Sequence, residues 1–236
     1  MKKIHWFIKG TCMTDNQLDP TTEEMKRFIS ERLDRIFKLD DLPFEIDKGP
    51  KVVLHILPIA SFASQSIPKI FDSPQLYDLS LMRIKPLTHD SNNDAFLAHS
   101  SIDTSSYCQL FRTGCIESVE SDIIYKEKEE IFIPYSAFKN IIIDAVLKYV
   151  TFLKKINMQC PMIVVITLLD VKGVLLKIDN NYTETPKPID KDMLMFQDIL
   201  IDDYSTVLEK TELEKLLTPT FDTLWNACGL PRRDHL

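Results

Sequence analysis

The 236-residue chain is 44% hydrophobic and 27% charged, as expected for a globular protein that can bury a large core. Its formal net charge of −7 argues against tight non-specific binding to nucleic acid, which needs a surplus of Lys and Arg. The 5 glycines are isolated, and neither GxxxxGKS/T nor GxGxxG occurs, which argues against P-loop ATPases and Rossmann dehydrogenases.

The first predicted elements are a short strand at residues 3–9 and a long helix that follows it. Thr21 and Glu24 have the spacing of a capping box, in which each side chain binds a backbone N–H of the first helical turn. Apolar residues then recur every three or four positions, at Met25, Phe28, Ile29, Leu33, Ile36 and Phe37. This spacing places them on one face of an amphipathic helix.

The clearest strand prediction is residues 51–57, within the segment GPKVVLHILPIASF. This run is β-branched and apolar, and Gly49–Pro50 and Pro58 bound it. Residues 63–93 are rich in Ser, Pro, Asp and Asn, and are predicted to form a long connection.

Two further strands are predicted at residues 94–100 and 106–112. Thr113–Gly114 lies between alternating runs, which predicts a tight hairpin in which Gly114 supplies a positive φ. Glu117 and Glu120 are then expected near the far end of this hairpin.

The longest predicted helix runs from Pro134 to about Met158 and is apolar over most of its circumference. Such a helix is expected between two layers or against a partner. Residues 162–169 form a continuous apolar run, typical of a central strand. Gly173 is predicted to turn this strand into a second hairpin with residues 174–178.

The last predicted elements are an edge strand at 194–201, a helical segment at about 206–217 and a short final helix. In the final helix Thr218 is the predicted N-cap, Pro219 the first helical residue and Gly229 the C-terminal glycine. The predicted fold class is α+β, a mostly antiparallel sheet of hairpins with a long central helix and flanking helices.

The predicted organisation is a single domain over residues 1–236. Residues 1–48 would form a strand and helix that lead into a main body at 49–236. Five cysteines at irregular spacing fit neither a disulfide framework nor a zinc ribbon. The N-terminus lacks the apolar core of a signal peptide, and no run has the length of a membrane span, so a cytoplasmic location is expected.

His55 is the first candidate for chemistry, because it stands alone in the apolar strand at 51–57. Alternation places it on one face with Val53 and Leu57. A histidine in this setting is predicted to be a hydrogen-bonded core residue, and a catalytic role would require a second imidazole or a carboxylate. His99 is the expected companion in that case.

Three further groups of residues are weaker candidates for a site. A hydrolase triad within HSSIDTSSYC (99–108) and a metal site from His99, Cys108 and Cys115 match no established spacing. Asp170 and Lys172 form a D-x-K arrangement at the end of a strand, where a carboxylate can hold Mg²⁺ and a lysine can polarise a phosphate. Asp144 would supply a second acidic ligand for such a metal ion. The simpler interpretation of Asp170 and Lys172 is that they are turn residues before Gly173. No cofactor or metal is predicted.

Four stretches occur in a characteristic order: GPKVVLHILPIASF, SYCQLFRTGCIESVES, PMIVVITLLDVKGVLL and FDTLWNACGLPR. Together they resemble the C-terminal half of a large family of bacterial proteins described as DNA-binding or ATP-binding, which carry an N-terminal Schlafen-type AlbA-like domain. The resemblance extends from about the first helix to Arg233. The AlbA-like domain itself is expected to be absent, and HWFIKG resembles its last strand or exit.

The resemblance transfers no catalytic or nucleotide-binding residue, because the positions that carry them belong to the AlbA-like domain. It implies a non-catalytic interaction or regulatory module within a prokaryotic defence or nucleic-acid-associated complex. The expected partner is an AlbA-like domain on another chain or further copies of this chain, with no membrane and only indirect contact with nucleic acid. The alternatives are a metal-dependent nucleic-acid enzyme centred on Asp170 and Lys172, and a small-molecule sensor with a pocket beside residues 51–57.

Overall fold

A computed structural model describes residues 20–63, 70–178, 185–207 and 209–230 of the chain. The predicted strand at residues 3–9 lies outside these ranges. The helices are α1 (Pro20–Lys38), α2 (Ala60–Ala63), α3 (Tyr135–Lys155) and α4 (Lys210–Ala227). The strands are β1 (Lys51–Pro58), β2 (Leu87–Ser91), β3 (Ala95–Ser100), β4 (Ser106–Phe111), β5 (Ile116–Glu120), β6 (Tyr125–Glu127), β7 (Glu130–Pro134), β8 (Met162–Leu169), β9 (Leu175–Lys177), β10 (Met193–Met195) and β11 (Ile199–Ile201).

The main sheet is antiparallel throughout and has the order β10-β8-β1-β5-β4-β3-β2, with β11 also paired to β8. The apolar runs predicted at 51–57 and 162–169 are β1 and β8, which are direct neighbours in the sheet. Every residue of β1 is buried, because helices cover both faces of the sheet here. The predicted α+β class is confirmed.

Helices form a layer on each side of the main sheet. Val52, Leu54 and Ile56 of β1 pack into a large core with α3 and α4, whereas Val53 and Leu57 pack into a second core beneath α1. The alternation of a strand therefore divides one apolar run between two cores. His55 lies on the α1 face, as the alternation predicts.

The helix α1 buries the predicted apolar face, and Met25, Ile29, Leu33 and Ile36 lie against the sheet. Thr21 lies one residue inside the helix, so it is not the N-cap that the capping-box spacing predicted. Phe37, at the end of the same predicted face, is 46% exposed. The helix thus follows the predicted period, but Ile36 is the last buried residue of the predicted apolar face, which was expected to extend to Phe37.

The predicted long helix is α3, and its wide apolar surface is covered within the chain. Its buried residues share one core with the sheet and with Leu213, Leu217, Phe221 and Leu224 of α4. The width of the apolar surface therefore reflects packing between two layers, and it provides no free face for a partner.

The predicted hairpin after Gly173 is wrong. The strand β9 pairs in parallel with β7, in a small separate sheet of order β6-β7-β9. After β8 the backbone bonds instead to a later segment, since Gly173 N donates to Ile189 O at 2.8 Å and Ile189 N donates to Val174 O at 2.9 Å. These bonds direct the chain away from β8.

The C-terminal part also differs from the prediction. The edge strand at 194–201 is two short strands, β10 and β11, and α4 is one continuous helix with Pro219 inside it. Thr218 is not an N-cap, because its hydroxyl donates to Glu214 O at 3.0 Å within the helix. The apolar stripe of α4 continues through Pro219, which explains why packing overrides the local start signal. Gly229 does end the helix, with a φ of +68°.

The predicted hairpin at Thr113–Gly114 is confirmed as the turn between β4 and β5, and Gly114 has a φ of +89°. The long connection at 63–93 contains a strand that the sequence did not indicate, β2, because its residues are mostly polar. None of the helices within the described ranges is both long enough and apolar enough to cross a membrane.

Candidate functional site

The central feature of the α1 face is a buried carboxylate, Glu117 of β5. The register places Glu117 directly opposite His55 of β1 on one side and opposite Gln109 of β4 on the other. Opposite residues in an antiparallel sheet point to the same face. The three polar side chains are therefore adjacent beneath α1, where apolar packing is otherwise the rule.

Glu117 accepts hydrogen bonds through both carboxylate oxygens. Arg32 binds it in a bidentate manner, with Nε to Oε2 and Nη2 to Oε1 both at 2.8 Å. Oε2 also lies 3.1 Å from His55 Nε2. Oε1 accepts from the hydroxyl of Tyr107 at 2.9 Å and from Gln109 Nε2 at 2.7 Å.

Arg32 reaches this carboxylate because α1 carries it on its buried face, beside Leu33 and Ile29. The guanidinium lies over the Phe111 ring, 5.5 Å from its centroid. The Phe28 ring lies beside the same group, with its centroid 6.2 Å from that of the His55 ring and 5.2 Å from that of the Phe111 ring. Aromatic side chains therefore separate the ion pair from solvent.

The ion pair determines the charge states of the network. Burial alone would raise the pKa of the Glu117 carboxyl, but the hydrogen bonds from Arg32 and His55 hold it well below its usual range. Burial and the Glu117 charge raise the pKa of the Tyr107 hydroxyl well above its ordinary value. Glu117 is thus a carboxylate and Tyr107 a neutral donor.

This arrangement is unsuited to catalysis. Glu117 and His55 have no exposed surface, and the acceptor sites of the carboxylate are already used by Arg32, Tyr107, Gln109 and His55. A general base needs a free lone pair within reach of a substrate proton. His55 Nδ1 has no hydrogen-bond partner in the described parts of the chain, but it is enclosed as well. The network is a structural clamp between α1 and the sheet.

The sequence identified His55 as a core histidine but did not identify its partner. The expectation that Glu117 and Glu120 lie near the far end of the hairpin is confirmed for Glu120, which pairs with Ser106 at the start of β4. It is wrong for Glu117, which pairs with Gln109 close to the turn, and both side chains are fully buried. The sequence does contain a pattern that could have predicted this polar cluster. Tyr107, Gln109 and Glu117 fall on one face once the hairpin turns at Thr113–Gly114.

His99 is not the companion of His55. Its register partner is Tyr107 of β4, its Nε2 lies 2.9 Å from Asp90 Oδ2, and its ring stacks on Phe44 with centroids 4.4 Å apart. The metal site considered from His99, Cys108 and Cys115 does not form, since the two cysteines lie in different cores. Among the described residues, no group of three or more His, Cys, Asp or Glu side chains is placed to hold a metal ion.

Asp170 and Lys172 lie in the turn after β8, and both are exposed. Asp170 has a φ of +58°, a left-handed conformation that Asp tolerates in turns. Asp144, the proposed second ligand, lies on α3 and pairs with Lys210 at 2.7 Å. These positions fit turn and surface residues, and a catalytic role for Asp170 and Lys172 stays a prediction.

A second polar cluster ties the connection before β2 to the end of β5. Lys85 Nζ lies 2.6 Å from Asp122 Oδ2, 3.3 Å from Glu120 Oε1 and 3.8 Å from Asp103 Oδ2. It also donates to the hydroxyl of Ser105. Lys85 lies at the centre of three carboxylates, so its single ammonium group is shared among them and holds the segment around residue 85 against the end of β5.

Around the edge strand β2, three large apolar side chains are exposed to solvent. Ile84 is fully exposed, Tyr77 is 70% exposed and Ile102 is 67% exposed. The loops that carry Ile84 and Ile102 are joined by a hydrogen bond from Ser101 N to Pro86 O at 3.1 Å. Tyr77 contacts His89 of β2, with ring centroids 5.5 Å apart. We call Tyr77, Ile84, Ile102 and the strand β2 the edge patch.

Three comparisons were made for this chain, with models of protein families, with curated proteins and with solved structures. None of them gives a match. The resemblance to the C-terminal half of Schlafen-type AlbA-like proteins therefore stays a prediction that depends on the four sequence stretches alone.

Proposed function

We propose that this chain is a non-catalytic interaction module that binds a protein partner through the edge patch. The observation that carries the proposal is that three exposed apolar side chains flank the edge strand β2, with Tyr77 against His89 and with Ile84 and Ile102 in the two loops joined at the start of the strand. Tyr77, Ile84 and Ile102 are the three most exposed of the large apolar residues in the described chain. Large apolar side chains gathered on a surface are typical of protein interaction sites.

The enclosed polar network supports the same proposal. The residues that most resemble catalytic groups, His55 and Glu117, are buried and hold α1 on the sheet. The broad apolar surface of α3 is covered by α4 and the sheet, so it is not the docking surface. Phe37, Leu200 and Leu216 are less exposed than the three apolar residues of the edge patch and lie on other elements.

The edge patch also has a rigid base. Lys85 anchors the loop of Ile84 to Asp122 and Glu120, and Arg83 donates to Asp122 O at 3.3 Å. A preorganised surface loses little conformational entropy on binding. The sequence resemblance implies that the partner is either an AlbA-like domain on another chain or a second copy of this chain.

The proposal is tested by measuring the size of the assembly that a tagged chain enters in its native cells, after chemical cross-linking. We expect the wild-type chain in a species larger than the monomer, and Ile84→Asp combined with Ile102→Asp to return it to monomer size. Leu216→Asp is the matched control, because Leu216 is 36% exposed on α4, outside the edge patch. A wild-type chain found only as a monomer in cells would refute the proposal.

A further inference from the structure

The strand β2 lies at an outer edge of the main sheet and pairs only with β3 among the described strands. The hydrogen bonds at its two ends define the direction of its backbone groups. Ser101 N donates to Pro86 O at 3.1 Å, and Asn92 N donates to Ala95 O at 3.0 Å. Both bonds continue the register in which Thr88 opposes His99 and Asp90 opposes Leu97.

Backbone groups alternate along a strand, so the even-numbered residues from 86 to 92 direct their hydrogen-bonding groups towards β3. Leu87, His89 and Ser91 therefore direct their N–H and C=O groups away from the sheet. No hydrogen bond to these outward groups is found anywhere in the described ranges. They form a ready template for another strand.

The usual protection of an edge strand is missing from β2. Natural edge strands are commonly blocked by lysine, proline or a bulge. The sequence of β2 is LTHDS, which contains neither lysine nor proline. Its one charged residue, Asp90, lies 2.9 Å from His99 Nε2 and is thereby held against β3.

We propose that a second copy of this chain pairs with β2 in antiparallel orientation, on a twofold axis at His89. An antiparallel edge can pair with itself, since a twofold axis perpendicular to the sheet relates the two strands. With the axis at His89, the outward groups of His89 bond to those of His89 of the second copy. Leu87 and Ser91 then pair reciprocally, so all the outward groups are satisfied.

The neighbouring registers are less favourable. An axis at Thr88 or Asp90 leaves one of the three outward residues without a partner. An axis at Asp90 also places two carboxylates directly opposite each other, which is destabilising. With the axis at His89, Asp90 instead faces Thr88 of the second copy, and a hydroxyl can donate to a carboxylate.

The surroundings of His89 fit this axis. His89 stacks on Phe96 with centroids 5.4 Å apart, and Tyr77 contacts both rings edge-on. The twofold axis brings two such aromatic groups side by side on one face and covers Tyr77, which is 70% exposed in the single chain. This apolar area matters, because a five-residue ladder alone is smaller than the roughly 800 Å² per partner of a standard interface.

The inference rests on the proposed function, since it names the partner at the edge patch. It is tested by sedimentation velocity of the purified full chain over a wide range of concentration. We expect a concentration-dependent dimer. His89→Lys is expected to weaken it at least tenfold, because two ammonium groups would then face each other across the axis.

Thr88→Lys is the charge-matched control, one residue away. In the proposed register its ammonium faces Asp90 of the second copy, so dimerisation is expected to be unchanged or stronger. Ser91→Pro is a second variant that should weaken the dimer without disturbing the pairing of β2 with β3. The N–H of Ser91 points outward, so proline removes no bond to β3, and the melting temperature of the monomer should hold while the dimer weakens.

A purified chain that is monomeric at every concentration would overturn the dimer. A dimer that is insensitive to both His89→Lys and Ser91→Pro would also overturn it, because its interface would lie elsewhere. If the purified chain is monomeric but the tagged chain enters a larger assembly in cells, the dimer fails and the proposed function stands. If neither assembly exists, both fail.

Discussion

Glu117 Oε2 lies 3.1 Å from His55 Nε2, and neither side chain has any exposed surface. A histidine beside a carboxylate resembles a catalytic pair. Here Arg32 forms a bidentate pair with the same carboxylate from α1, and Phe28 and Phe111 cover the group. The pair therefore joins the helix to the sheet. Any shift of α1 along the sheet would leave Glu117 buried without its counter-charge.

The first prediction concerns the carboxylate of Glu117. Glu117→Gln keeps the shape of the side chain but leaves the guanidinium of Arg32 buried without a counter-charge, since Arg32 is only 9% exposed. Breaking one partner of a buried ion pair costs about 3–5 kcal/mol. We expect a loss of that size in the free energy of unfolding, measured in urea. Asp34→Asn removes an exposed pair with Lys38 and should cost less than about 1 kcal/mol.

The pH dependence provides a second measurement on the same variant. The folded-state pKa of Glu117 is held below its ordinary value of 4.5, so its stabilisation is complete above 4.5 and is lost as the pH falls below it. The difference between wild type and Glu117→Gln should therefore shrink on acidification. A difference that is constant from neutral to acidic pH would contradict the assignment of Glu117 as a buried carboxylate.

Much of the fold was predictable because local signals and packing agree. The apolar runs of β1 and β8, the helical period of α1 and the glycine of the β4–β5 turn each act within a few residues. Pro219 shows the opposite case. A strong start signal at Thr218–Pro219 was overridden, because apolar residues on both sides of it pack into one core.

The candidate site was harder to predict, since its partners are distant in the chain. Arg32 and Glu117 are separated by 85 positions, and Arg32 looks like an ordinary charged residue of an amphipathic helix. The edge patch depends on β2, whose sequence LTHDS has no apolar alternation. Both features follow from the order of strands in the sheet, and single-sequence patterns do not specify that order.

The second prediction concerns His55. A carboxylate can only accept hydrogen bonds, so His55 Nε2 must carry the proton that faces Glu117. Long-range ¹H–¹⁵N spectra should show a protonated Nε2. His55→Gln retains a donor and should cost about 1 kcal/mol, whereas His55→Leu removes it and should cost about 1–3 kcal/mol. An Nε2 without hydrogen would rule out this arrangement.

The third prediction compares two glycines with similar backbones. Gly114 and Gly173 have φ angles of +89° and +85°, so alanine is strained at both positions, at a cost of about 1–3 kcal/mol. A Cβ at Gly114 would also collide with the side chain of Met158, whereas one at Gly173 meets nothing within 4 Å. We expect Gly114→Ala to be the more destabilising of the two in urea unfolding. Equal losses would show that Met158 moves aside freely.

The fourth prediction concerns Asp198, between β10 and β11. Burial raises the pKa of its carboxyl to about 6, and the nearby charge of Lys26 only partly opposes this. Because the folded-state pKa lies above the unfolded value of 3.8, the protonated form favours folding. That contribution is present below pH 3.8 and is lost as the pH rises through 6.

Asp198→Asn should therefore be more stable than wild type at pH 8, by about 1–2 kcal/mol after allowance for the partial exposure of the side chain. The free energies of unfolding of the two proteins should become similar near pH 4, and this comparison serves as the internal control. Lys26→Gln should lower the stability of the wild-type chain at pH 8, because it removes a charge that favours the ionised Asp198. If urea unfolding shows Asp198→Asn to be less stable at pH 8, the carboxylate is stabilised by a contact that outweighs its burial.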